Sequence, residues 1–87
     1  MRDQSSAAKR HKQSEKHRIR NRAVRSQVRT NIRKFLAAVE NDSKDAAGEQ
    51  LHRVTRLLDG AAGKGIYHRN TVARTKSRLH ARLNRMA

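Results

Sequence analysis

Eighty-seven residues with 34% hydrophobic content, one Phe, one Tyr and no Trp allow a single small domain with a thin aliphatic core. The absence of cysteine excludes a disulfide staple and thiolate metal sites, and the five histidines show no paired spacing of the zinc type, so no metal or other cofactor is expected. Twenty-two Lys and Arg against seven acids give a net charge of +15, far more than solubility requires, which makes a polyanion, nucleic acid first of all, the expected partner.

No apolar run approaches the ~18 residues of a membrane span, and the start lacks the apolar stretch of a secretory signal, so the chain reads as soluble and intracellular. The Arg-rich, Ser-containing start has some likeness to an organelle transit peptide, but its basic pattern runs unbroken into apolar periodicity, as mature protein would. The charge sits at the two ends. Met1 to Lys34 carries twelve basic residues and two acids, Phe35 to Gly63 three and five, and Lys64 to Ala87 seven and none. With no proline and no strand-favouring clusters, the expected fold class is all-α.

From Ala7 to Asn41 no residue breaks a helix. Ile19, Ala23, Val24, Val28, Ile32, Phe35, Leu36 and Val39 recur mostly at three- and four-residue steps, one face for a core, whereas Ala7 to Arg18 has only its two alanines. The first half of this helix therefore extends past the bundle as a basic arm, and without a partner it frays, because unpacked helices are marginal and its like charges repel. Lys9, Arg10, Lys12, Lys16, Arg18, Arg20, Arg22, Arg25 and Arg29 are the candidate contacts to nucleic acid here, with Glu15 the one nearby acid. Arginine outnumbers lysine along the chain, which suits forked contacts to phosphate oxygens.

Asn41-Asp42-Ser43 ends the first helix and starts the second, with Asp42 or Ser43 as N-cap and Asp45 and Glu49 early, where acids complement the helix dipole. Ala47, Leu51, Val54, Leu58 and Ala61 form a stripe, which closes at Gly60 or Gly63. The Gly63-Lys64-Gly65 linker turns the chain back. In the third helix Val72, Leu79, Leu83 and Met86 share one face, while basic residues lie off it, and the segment from Lys64 holds no acid. Lys64, His68, Arg69, Asn70, Arg74, Lys76, Ser77, Arg78 and Arg82 are the second set of candidate contacts. The expected architecture is an antiparallel three-helix bundle whose long basic first helix extends beyond it: arm 1–18, packed part of the first helix 19–41, second helix 43–63 and third helix 68–86.

Other chemistries fit poorly. Gly60-Ala61-Ala62-Gly63-Lys64-Gly65 lacks the glycine spacing, the Ser or Thr after Lys and the preceding strand of a phosphate loop, so it reads as a helix stop. Ser14 with Glu15, or Ser77 with His80, has no third group to orient a nucleophile, and so thin a core encloses no substrate pocket; an enzyme is not expected. Scarce aromatics argue for contacts to RNA backbone and shape rather than to splayed bases. A membrane-active cationic helix is disfavoured by narrow apolar stripes without Trp and Phe anchors.

Two patches carry a family resemblance. The first is Ser6-Ala7-Ala8-Lys9-Arg10 through Gln13 to Asn21, with Arg25-Ser26 and Arg29-Thr30; the second is Lys64-Gly65-Ile66-Tyr67-His68-Arg69-Asn70 through Ala73-Arg74-Thr75-Lys76-Ser77-Arg78-Leu79. In these, and in the helix lengths between them, the chain resembles the bacterial small-subunit ribosomal protein family numbered twenty. The resemblance implies a three-helix bundle that binds 16S rRNA directly and early in assembly, bridging the 5′ domain and the lower end of the long 3′ minor-domain stem. It also implies other ribosomal components as neighbours and a cytoplasmic, ribosomal location, with no membrane and no small-molecule substrate. Two positions depart from the family: Ser5, after the acidic Asp3, stands where a lysine is common, and Tyr67 replaces an aliphatic residue. A histone-like or nucleoid DNA-binding protein is the alternative that the same charge permits.

Overall fold

The computed structural model describes residues 2–86 and the side chains from Ala7 to Met86, so the departure at Asp3 and Ser5 lies outside the described side chains. Three helices account for its regular structure: α1 (Arg2–Glu40), α2 (Lys44–Gly63) and α3 (Arg69–Asn84). They form the expected all-α bundle. With 39 residues at ~1.5 Å each, α1 alone gives the molecule most of its 66 Å length, against cross-sections of 21 and 13 Å.

The core follows the periodicity. Val28 and Phe35 of α1, Ala47, Leu51, Val54 and Leu58 of α2, and Val72 and Leu79 of α3 form one buried cluster. α2 is central, packing on α1 along most of its length and on α3 less extensively, while α1 and α3 meet far less. Gln50 reinforces the first pairing by donating from Nε2 to Asn31 Oδ1 at 2.7 Å. Ile19, which heads the expected apolar stripe of α1, stays 64% exposed. The 20 residues of α2 reach back only ~30 Å along α1, where Val24 is the first apolar side chain to be half-buried and Val28 the first to be buried.

Both interhelical turns use the same device, in which two backbone N–H groups fold back onto the last carbonyls of the helix. At the end of α1, Ser43 N–H donates to Ala38 and Asp42 N–H to Val39, with Asp42 at φ 55°. At the end of α2, Ile66 N–H donates to Ala61 and Gly65 N–H to Ala62, with Gly65 at φ 75°. Neither Gly60 nor Gly63 supplies the turn conformation; both are helical, and the left-handed residue is Gly65. Ile66 and Ala61, joined by the outer bond of this turn, are both buried. Ser43 occupies the N-cap of α2, but its side chain makes no cap hydrogen bond.

Candidate nucleic-acid interface

The bases of α1 fall into two stripes on opposite sides of the helix. At about 100° per residue, Arg18, Arg22, Arg25 and Arg29 lie within roughly 60° of one another. All four are exposed, and together with Asn21 and Ser26 they border a shallow hollow along the helix. Lys9, Lys12, Lys16 and Arg20 are exposed too, but sit roughly 150° away around the axis. Arg10 is exposed between the two. Both stripes lie off the core face of α1 and face solvent at once.

In α3, Arg74, Arg78 and Arg82 form a third exposed stripe, and Arg85 extends it just past the helix end. Asn70 and Ser77 lie seven residues apart on the outer side of α3 and are exposed, while Lys64 and His68 are exposed in the turn before it and Arg69, also exposed, is its first residue. His68 caps α3, its Nδ1 accepting from the Asn70 N–H at 3.1 Å. Lys76 turns the other way, toward α2, where its Nζ meets Asp59 Oδ1 at 2.8 Å.

The limited contact between α1 and α3 leaves an open groove of about 130 Å³ between them, lined by Val28 and Ile32 of α1, Leu58 of α2, and Tyr67, Thr71, Val72 and Thr75. The arginine stripe of α1 runs along the Ile32 side of its core face, and that of α3 along the Thr71 and Thr75 side. Two arginine banks therefore flank one groove. At the Tyr67 wall of the groove, the Arg25 guanidinium lies 6.0 Å from the centre of the ring, the edge of cation–π range. Only two ion pairs occur among the described residues, Arg18 with Glu15 and Lys76 with Asp59. Most of the positive charge on this face is thus uncompensated within the chain.

Comparison with known proteins agrees with the resemblance read from the sequence. The family profile described as ribosomal protein S20 matches residues 3–84. The chain is 51% identical over 81 residues to the small ribosomal subunit protein bS20 of Corynebacterium glutamicum, covering 93% of each chain. Proteins of the same name are 48% identical in Halalkalibacterium halodurans, over 91% of this chain and 87% of that one, and 45% identical in Thioalkalivibrio sulfidiphilus, over 94% and 95%. The chain belongs to the ribosomal protein S20 family.

Within this S20-family chain, the candidate contacts read from the sequence divide by geometry. Arg18, Arg22, Arg25 and Arg29 come together on one bank of the groove and Arg74, Arg78 and Arg82 on the other; Lys9, Lys12, Lys16 and Arg20 stand apart on the far side of the arm. Lys76 has an intramolecular partner, which distinguishes it from the arginines around it. Arg33 and Arg85 are exposed and extend the two banks, and neither was among the candidates. Four-residue spacing from Arg29 marks Arg33, and three-residue spacing from Arg82 marks Arg85. The groove residues Thr71 and Thr75 carry no comparable spacing signal, because only the rotation of α3 against α1 places them at the groove. Among the described residues no group of His, Asp and Glu could hold a metal ion, and no helix is long and apolar enough to cross a membrane.

Proposed function

We propose that the chain binds directly to 16S rRNA and supports assembly of the small subunit by holding two RNA segments together. As a member of the S20 family it has a structural role in the small ribosomal subunit and is ribosome-associated in the cytoplasm. The observation that carries the finer reading is the pair of arginine banks beside one groove, with a separate lysine-rich stripe on the opposite side of the arm. Forked guanidinium groups spaced by helical turns take phosphate oxygens, and two faces pointing apart suit two stems rather than one. Cations arranged in this way act by electrostatic positioning of the RNA backbone.

Competition between structured small-subunit rRNA and duplex DNA of equal length, at physiological salt, tests this reading. The rRNA is expected to win clearly. Equal competition would favour the histone-like alternative, in which the same cations neutralise any polyanion.

A further inference from the structure

The groove between α1 and α3 has no occupant among the described residues, although it is apolar and open and has the Arg25 guanidinium beside its Tyr67 wall. We infer that it receives a single unpaired RNA base, whose flanking phosphates are held by Arg25 and Arg29. This rests on the RNA-binding reading and refines it, from contacts to backbone alone to one contact with a base.

Three observations lead there. The first is size: the groove encloses about 130 Å³, and a cavity of roughly 150 Å³ takes a benzene-sized ring. A one-ring base matches that volume, whereas a helix about 10 Å across does not enter.

The second is chemistry. Val28 and Val72, each 4% exposed, form an apolar floor, half-buried Ile32 one side, and Tyr67, the only tyrosine in the chain, contributes an aromatic wall. Unpaired RNA bases are recognised by stacking on aromatic rings and guanidinium planes and by hydrogen bonds to their edges. Thr71 and Thr75 supply the hydrogen bonds. Their hydroxyls bond to no other described residue, whereas the Thr55 hydroxyl is already used, donating to the Leu51 carbonyl at 2.9 Å. A hydroxyl both donates and accepts, so the pair can meet a base edge of either kind.

The third is charge. Arg25 sits at the groove's rim beside Tyr67, and Arg29 is one turn further along the same bank. A net charge of +15 opposes a second copy of the chain as occupant and favours a nucleotide.

The test compares binding of the full chain to an RNA duplex carrying one bulged uridine with binding to the same duplex fully paired, at fixed salt. The bulged duplex is expected to bind about tenfold more tightly, the scale of one base stacking on an aromatic wall. Thr75→Leu fills the groove and should abolish that ratio. Tyr67→Leu keeps apolar bulk but removes the ring, and should reduce it severalfold. Arg22→Ala should weaken both duplexes alike and leave the ratio intact. Circular dichroism melts check that each variant folds; independently of any variant, 4-thiouridine at the bulge should crosslink the parent chain at Tyr67, Thr71 or Thr75. Equal binding of the two duplexes by the parent, a ratio unaffected by both groove variants when folded, or crosslinks confined to the arm would overturn the inference. Failure of the RNA reading itself looks different: paired RNA and duplex DNA of the same length would then bind equally well, whatever the effect of the bulge.

Discussion

The two halves of α1 are made of one continuous helix and obey different physics. From Val28 to Val39 every third or fourth residue is buried or half-buried against α2 and α3, and the helix is held by its neighbours. From Ala7 to Arg20 every residue but Glu15 is exposed, the one large apolar side chain included, and the helix there is held by its own backbone bonds and the Arg18–Glu15 ion pair, with no packing against α2 or α3. Like charges three and four residues apart work against those bonds. The contrast teaches that the arm is shaped for a partner and the bundle for itself: the apolar periodicity stops where the basic density peaks.

Removing the arm should break this comparison most sharply. Deleting residues 1–18 should leave the melting temperature of the bundle nearly unchanged, since none of the arm's described side chains is buried. The same deletion should lower the slope of log K against log salt by about 0.7 to 0.9 for each phosphate that the arm no longer neutralises. Footprints should then fade on one RNA stem and persist where α3 binds. Equal loss on every RNA and on duplex DNA would reduce the arm to a nonspecific polycation. In the full-length chain without RNA, amide exchange should be fast across Lys9 to Lys16 and slow across Val28 to Val39, and RNA should slow the former.

Within the bundle the order of effects reverses. Leu58→Ala, at a side chain only 3% exposed, should cost about 2 to 5 kcal/mol, a large part of the stability open to so small a domain. Ile19→Ala in the arm should cost almost nothing. Thermal melts of the two variants measure how far the core reaches along α1, and equal losses would mean that the arm packs as well.

Single cations sharpen the comparison at smaller scale. Arg22→Ala and Arg74→Ala should each reduce the salt slope by about one unit, and Arg53→Ala, exposed on the second helix, whose acids and bases balance, should leave it unchanged. Lys76→Ala should reduce it less than Arg74→Ala, because Asp59 already holds the Lys76 ammonium at 2.8 Å. That ion pair is partly exposed and contributes at most about 1 kcal/mol to stability.

How much of this was legible in the sequence follows from the range of each interaction. Ala47, Leu51, Val54, Leu58 and Ala61 announce their helix by spacing alone, and all five are buried. Arginines three and four residues apart likewise announce a stripe, since both facts are local. The rotation of one helix against another is not local. Lys76 meets Asp59 from 17 residues away, and Arg25 meets Tyr67 across α2 and its two turns, so neither pairing follows from periodicity. Without that rotation the two arginine banks could not be assigned to one groove. The end of α2 was ambiguous for another reason: Gly60, Gly63 and Gly65 can all adopt positive φ, and the choice falls to Gly65 because Ile66 then docks in the core.

The two turns that confine order to the bundle give the smallest effects and a clean contrast between two residues in one conformation. Gly65 at φ 75° has no heavy atom within 4 Å of where a Cβ would stand, so Gly65→Ala meets no steric clash with its surroundings. Its cost is the backbone strain of an alanine at positive φ, about 1 kcal/mol, partly offset by the lower chain entropy of alanine when unfolded. Asp42 at φ 55° already bears such strain, eased because aspartate tolerates this region better than most residues. Asp42→Gly should therefore change stability by no more than about 0.5 kcal/mol, relief of strain opposing the extra entropy of glycine. Asp42→Val, β-branched in the same conformation, should cost about 1 to 3 kcal/mol. Denaturant titrations of the three variants resolve this order. If Asp42→Val proves neutral, the turn after α1 adopts another backbone conformation in solution, and the junction that sets α2 against α1 is looser than the one that sets α3 against α2.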